Sequence, residues 1–173
     1  MTGHSLGGAL ATLASFGLAG LPEELGIPKP VTCISVAAPF SGTRGYQMAT
    51  ERLESEGFLR SLRVNLPEDP VPKPVPFCTK RDFPFFEATH HCGINLRLAH
   101  DGCIFEHTSR GNFRDSLLEP RLFRNISEGF HHSIKPFHVD RIGNNYEHLK
   151  DVTIEDLYQD EKVVSKEFLE GTF

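Results

Sequence analysis

The sequence predicts an α/β fold in which a mostly parallel β-sheet is covered by helices. Helical and strand-like segments alternate over the first 66 residues, and this order favours parallel strands joined by helical crossovers. The chain has 173 residues, enough for one domain with a hydrophobic core and too few for two ordinary domains. We therefore treat residues 1–173 as one domain or a part of one.

Four segments form the alternating pattern. Ser5 to Ala19 is apolar on nearly every side and is followed by Gly20-Leu21-Pro22, as expected of a buried helix and its C-terminus. Val31 to Val36 is a β-branched run between turn residues, typical of an interior strand. Thr43 to Gly57 has a roughly helical period, and Leu59 to Leu66 alternates as a strand.

The second half of the chain carries weaker signals. Gly93 to Leu98 is a further strand candidate, whereas residues 100–130 have no clear period and are predicted to be loops with short turns. His132 to Leu149 and Thr153 to Tyr158 are predicted to be helical. Pro136 is compatible with the first of these helices only near its start.

The sequence argues against nucleic-acid binding and against a membrane-spanning helix. The formal charge is -5, from 18 Lys and Arg against 23 Asp and Glu, so no basic field is available to neutralise a nucleic-acid backbone. The longest apolar stretch, Leu6 to Leu21, contains Gly, Ser and Thr and falls short of about 20 membrane-spanning residues. We interpret it as a buried helix.

The four cysteines, Cys33, Cys78, Cys92 and Cys103, show no C-x-x-C spacing. Zinc-finger and thioredoxin-type sites therefore have no support. Buried free thiols are the expectation, and a disulfide among the last three cysteines is the alternative.

Gly3-His4-Ser5-Leu6-Gly7 matches G-x-S-x-G, the motif of a serine nucleophile on a sharp turn from strand to helix. Gly3 and Gly7 would lack side chains so that strand and helix can approach each other. Ser5 is the candidate nucleophile. Because it opens a strongly apolar helix, the backbone N–H of Leu6 is a candidate donor to an oxyanion.

A serine hydroxyl needs a histidine to take its proton and a carboxylate to orient that histidine. In this architecture the acid follows the serine on a loop after a strand, and the histidine comes last. Asp69 meets this description, since it follows the strand ending near Leu66 and precedes Pro70, which favours an extended backbone. Glu68 is the nearest alternative.

The candidate base is His132, at the start of the last helical segment and followed by the apolar Ile134 and Phe137. His131 is the next candidate. Chain order alone does not choose between the eight histidines that follow Asp69: His90, His91, His100, His107, His131, His132, His138 and His148.

The sequence predicts no metal and no cofactor. The H-E-x-x-H motif is missing, and His100-x-x-Cys103-x-x-x-His107 offers three ligands without a clear fourth.

Four stretches of the chain carry a recognisable pattern. They are Thr2-Gly-His-Ser-Leu-Gly-Gly-Ala-Leu-Ala11, Ser35-Val-Ala-Ala-Pro39-Phe-Ser-Gly42, Asn65-Leu-Pro-Glu-Asp69-Pro-Val-Pro72 and His91-Cys-Gly-Ile-Asn-Leu-Arg-Leu98. Together they resemble the class 3 lipase family, the fungal-lipase-like branch of the α/β-hydrolases. The likeness spans residues 1 to 98 and thins beyond them to His132-Ser133, Phe137 and Ile154 to Tyr158.

The resemblance implies a serine hydrolase that cleaves carboxylic esters of glycerolipids through an acyl-enzyme, with transient contact to a membrane or lipid interface. It implies that His91 is a non-catalytic strand residue and supports His132 as the base. Hydrolysis of a smaller soluble ester is an alternative, and so is a non-catalytic lipase-like module that binds a partner or senses lipid. Phe77, Phe83, Phe85 and Phe86 could contact an acyl chain, although packing is the commoner role of such a cluster.

The front of the chain departs from the family pattern. Only Met1 to His4 precede Ser5, whereas the family places several strands, the lid and the second oxyanion donor upstream of its serine. We expect residues 1–173 to be the C-terminal part of a single lipase-like domain, poorly stable and inactive as an isolated piece. A truncated relative that cannot perform the chemistry is the alternative.

Overall fold

The computed structural model describes residues 1–39, 41–72, 90–100, 102–107, 132, 134, 138–159 and 167–168. The strands are β1 Thr2–His4, β2 Val31–Val36, β3 Leu59–Asn65, β4 Ile94–Leu98, β5 Cys103–His107 and β6 Glu167–Phe168. The α-helices are α1 Leu6–Ala19, α2 Arg44–Ser55, α3 Val139–Asn144, α4 Tyr146–Leu149 and α5 Ile154–Gln159.

The strands form one sheet whose spatial order follows the chain order, β1 to β6. The first four are parallel, with Val31 opposite Leu59 and Leu62 opposite Ile94. The last two join antiparallel, first β5 on β4 and then β6 on β5. The predicted mostly parallel sheet covered by helices is confirmed.

Two hydrophobic clusters lie on opposite faces of the sheet. On one face α1 and α2 pack against β2 and β3, with Ala19, Val31 and Leu59 buried at the centre. Leu59 and Val64 are five positions apart on β3, so their side chains point to opposite faces. Val64 belongs to the second and larger cluster, which includes Leu157 of α5.

Most predicted elements agree with the structure within two residues at each end. These are α1, β2, α2, β3, β4 and α5. The prediction that α1 is buried was wrong in part, because Leu6, Leu10 and Leu13 are exposed on one side of it. β2 has the predicted bounds, because its β-branched residues are bracketed by prolines that cannot extend the pairing.

In the second half of the chain one prediction was wrong and another holds only in part. The segment 100–130 was expected to be loops with short turns, but Cys103–His107 is a strand that pairs with β4 along its whole length. The helix expected over 132–149 is interrupted: among the described residues His132, Ile134 and His138 are helical, and two short α-helices begin at Val139 and Tyr146. Asn145 separates them, and its amide donates to the carbonyl oxygen of Arg141 at 2.8 Å.

Cys33, Cys92 and Cys103 are buried free thiols, as expected. Burial raises the pKa of the Cys92 thiol to about 11, so this thiol stays protonated at neutral pH. Cys78 lies outside the described residues.

Candidate active site

Ser5 occupies a strained turn between β1 and α1. β1 ends at His4 and α1 begins at Leu6, so Ser5 is the single residue between strand and helix. Its φ of 55° and ψ of -128° lie in a region that non-glycine residues rarely adopt. The N–H of Ser5 donates to the carbonyl oxygen of Val36 at 2.9 Å, which ties the turn to the neighbouring strand β2.

The turn depends on two glycines. A Cβ atom at Gly3 would overlap the carbonyl oxygen of Gly7, and one at Gly8 would lie 2.9 Å from both the Cβ of Ala38 and the carbonyl oxygen of Gly3. A Cβ at Gly7 would meet no atom within 4 Å in the described part of the chain. The second close approach is therefore made at Gly8 and not, as the motif predicts, at Gly7.

His132 lies between Ser5 and Asp69. Its Nε2 is 2.6 Å from the Ser5 Oγ, and its Nδ1 is 3.0 Å and 3.2 Å from the two carboxylate oxygens of Asp69. A carboxylate can only accept at Nδ1, so Nδ1 carries a proton and Nε2 can accept the one on the serine hydroxyl. This arrangement can deprotonate Ser5 and hold the resulting imidazolium beside a negative charge.

Asp69 is held in one orientation and fully shielded from solvent. Its N–H donates to the carbonyl oxygen of Leu66 at 3.2 Å, and its Oδ1 accepts the N–H of Val71 at 2.9 Å. The alternative acid, Glu68, is turned toward Arg141, whose guanidinium lies 3.3 Å from its Oε1. Of these two neighbouring carboxylates, Asp69 is therefore the one beside His132.

His91 anchors the loop that carries Asp69. It lies three residues before β4, and not on the strand as the resemblance implies. Its Nε2–H donates to the carbonyl oxygen of Pro72 at 2.7 Å. Burial, with the nearby Arg63 guanidinium, holds the pKa of His91 well below its usual value. The ring is therefore neutral and acts as a fixed donor.

Leu6 is the first residue of α1, and the first N–H groups of a helix have no acceptor within it. Because α1 runs for 14 residues, its macrodipole adds partial positive charge at this end. The N–H of Leu6 is thus available, beside Ser5, to an atom that develops negative charge.

Two histidines that sequence reasoning left aside also lie at the site. His4 donates through Nε2–H to the carbonyl oxygen of His132 at 2.9 Å. The Nε2 of His138 lies 3.8 Å from the Asp69 Oδ2, and His138 is 1% exposed. His4 could have been suspected because it precedes Ser5 directly. For His138, nothing in the local sequence distinguishes it from the other histidines.

Some predicted residues lie outside the described part of the chain. They are the alternative base His131 and the aromatic cluster Phe77, Phe83, Phe85 and Phe86. Within the described residues, no helix has both the length and the apolar character needed to cross a membrane.

The first part of the chain matches the model of a known protein family. The family model described as lipase (class 3) matches residues 1–80, which include Ser5 and Asp69. Comparisons with curated proteins and with solved structures give no match. Residues 1–80 therefore match the class 3 lipase family, whose fold is that of the α/β-hydrolases and whose general activity is hydrolysis of carboxylic esters.

Proposed function

We propose that this protein is a serine hydrolase that cleaves carboxylic esters of glycerolipids through an acyl-enzyme. Ser5 is the nucleophile, His132 the general base and acid, and Asp69 the carboxylate that orients His132. The observation that carries the proposal is the continuous contact from the Ser5 Oγ to His132 at 2.6 Å and from His132 to Asp69 at 3.0 Å. Removing any one link would leave the hydroxyl a poor nucleophile.

The proposed reaction has two halves. Ser5 Oγ attacks the ester carbonyl while His132 Nε2 takes its proton, and the N–H of Leu6 donates to the oxyanion of the tetrahedral intermediate. His132 then gives its proton to the leaving alcohol. A water molecule, deprotonated by His132, releases the fatty acid and restores Ser5.

Exposed apolar side chains beside the serine support a lipid substrate. Leu6, Leu10 and Leu13 of α1 are 67%, 58% and 43% exposed. Their spacing of four and three residues places them in one row along the helix, beginning next to Ser5. We propose that this row contacts acyl chains or the lipid interface during transient binding.

The first test is labelling of the full-length protein with a fluorophosphonate, which reacts with activated serines. We expect stoichiometric labelling that Ser5→Ala abolishes and that Ser55→Ala leaves unchanged, because Ser55 lies exposed on α2 away from the site. Labelling that persists in Ser5→Ala, or no labelling of protein that melts cooperatively, would overturn the proposed function. Lipid binding unaffected by Ser5→Ala together with no labelling would instead identify a non-catalytic module.

A second test addresses the substrate class. Hydrolysis of an emulsified triacylglycerol is compared with that of a soluble butyrate ester in Leu10→Ser and in Leu25→Ser. Leu25 is a matched control, since it is also exposed, at 62%, but follows the far end of α1, about 20 Å from Ser5. Leu10→Ser should slow the emulsified substrate selectively. If the wild type hydrolyses the soluble ester and not the emulsified triacylglycerol, the protein is an esterase for small substrates.

A further inference from the structure

His4 contacts the candidate base in two ways. Its Nε2–H donates to the backbone carbonyl oxygen of His132 at 2.9 Å. The two rings also lie against each other, with centroids 4.9 Å apart and planes inclined by 33°. We propose that His4 is a positioning residue that holds His132 in the orientation needed to deprotonate Ser5. This inference rests on the proposed function.

His4 stands on a fixed part of the fold. It is the last residue of β1 and pairs with Val36 of β2, so the sheet holds its backbone. The ring of the buried His138 packs edge-on against the His4 ring, with centroids 5.6 Å apart. A donor held from both sides transmits the rigidity of the sheet to the residue that it contacts.

His132 needs support of this kind because its side chain must satisfy two partners at once. Nδ1 faces Asp69 and Nε2 faces Ser5, and both contacts depend on where the backbone of His132 lies. Asp69 orients the ring from one end only. The hydrogen bond from His4 fixes the main chain from which the ring projects, and a misplacement of about 1 Å at such a site costs as much as 100-fold in rate.

The hydrogen bond from His4 also connects the segment that carries Ser5 with the segment that carries His132. His4 adjoins Ser5 in the chain, while His132 is 127 positions away from Ser5. A displacement of β1 therefore moves the nucleophile and the His4 donor together. Because His4 touches His132 and not the reacting atoms, it acts through the base.

The test compares amide variants of matched chemistry. His4→Gln places an amide N–H near the position of the imidazole Nε2, whereas the amide of His4→Asn is one methylene too short to reach the His132 carbonyl. We expect His4→Asn to lower kcat for a soluble ester and the fluorophosphonate labelling rate about 10- to 100-fold, with KM within about 2-fold. His4→Gln should recover most of both rates.

Two further measurements separate positioning from folding and from the proposed function itself. Thermal melts should show both variants fully folded at the assay temperature, so a rate difference between them is not a loss of folded protein. If His4→Asn and His4→Gln have equal kcat and equal labelling rates, the inference about His4 is overturned. The proposed function still stands in that case, provided that labelling depends on Ser5. Labelling that persists in Ser5→Ala would overturn the proposed function instead.

Discussion

Replacing Glu54 by Gln should change how the stability of this protein depends on pH. Glu54 lies on α2, and its Oε1 accepts the hydroxyl proton of Tyr158 on α5 at 2.7 Å. The same hydroxyl oxygen accepts the N–H of Ser61 on β3 at 2.6 Å. The second oxygen, Oε2, is shielded from solvent and meets no donor among the described residues. Burial raises the pKa of Glu54 from 4.5 to about 7, an effect that these hydrogen bonds only partly offset.

The direction in which stability changes with pH follows from the raised pKa of Glu54. The folded protein favours the neutral carboxyl, so the stability that Glu54 contributes is fully present below pH 4.5 and is lost as the pH rises through about 7. Each unit of pKa shift corresponds to about 1.4 kcal/mol, so the total loss is about 3 kcal/mol. A glutamine keeps an acceptor for Tyr158 and cannot ionise, so its variant should lack this loss.

The assay is urea unfolding of the wild type and Glu54→Gln between pH 4 and pH 8. The difference between the two free energies of unfolding isolates Glu54, because other titrating groups such as His91 are common to both proteins. That difference should shift in favour of the variant by about 3 kcal/mol across this range. Glu56→Gln, at an exposed position just past the end of α2, is the matched control. A difference that does not vary with pH would refute the reasoning.

Four further variants test the turn, the acid and a buried amide. Gly3→Ala should prevent folding, since its Cβ would overlap the Gly7 carbonyl, whereas Gly7→Ala should be tolerated or stabilise α1 by up to about 1 kcal/mol; equal melting temperatures would contradict this. Asp69→Asn keeps an acceptor for the Val71 amide, so its melting temperature should change little. Its kcat should fall about 10⁴-fold. Near-normal turnover would exclude Asp69 as the orienting acid. Asn145 is fully buried, and its side chain makes hydrogen bonds to three backbone groups. Asn145→Ala should therefore lower the free energy of unfolding in urea by about 3 kcal/mol. A loss below about 1 kcal/mol would show that these bonds contribute little.

Local sequence predicted the elements whose signals are local. α1 is a long apolar run and β2 a β-branched run, each with glycine or proline near its ends, and both were predicted with correct or nearly correct bounds. Strand β5 was missed because Cys103–His107 is short and lies in a region without period. Its stability comes from pairing with β4 and from burial of Phe105, which are tertiary properties that a short window of sequence does not contain.

The residues of the candidate site also differ in how well the nearby sequence predicts them. The motif around Ser5 and the proline after Asp69 point to those two residues from nearby sequence alone. His132 was chosen among eight histidines from its position at the start of the last helical segment, with support from the resemblance, and the structure places it between Ser5 and Asp69. The catalytic role of the three residues stays a prediction. The contact from His4 spans 128 positions, and no pattern in the sequence indicates it.

The distance along the chain between Ser5 and His132, 127 positions, bears on when reactivity can arise. Contacts so remote in sequence are made only after large loops have closed. A nascent or partly denatured chain that already carries its turn at Ser5 would consequently be chemically silent. Reaction of Ser5 with a covalent probe should therefore appear late in refolding, and its rate would report completion of the tertiary structure more directly than helix content does.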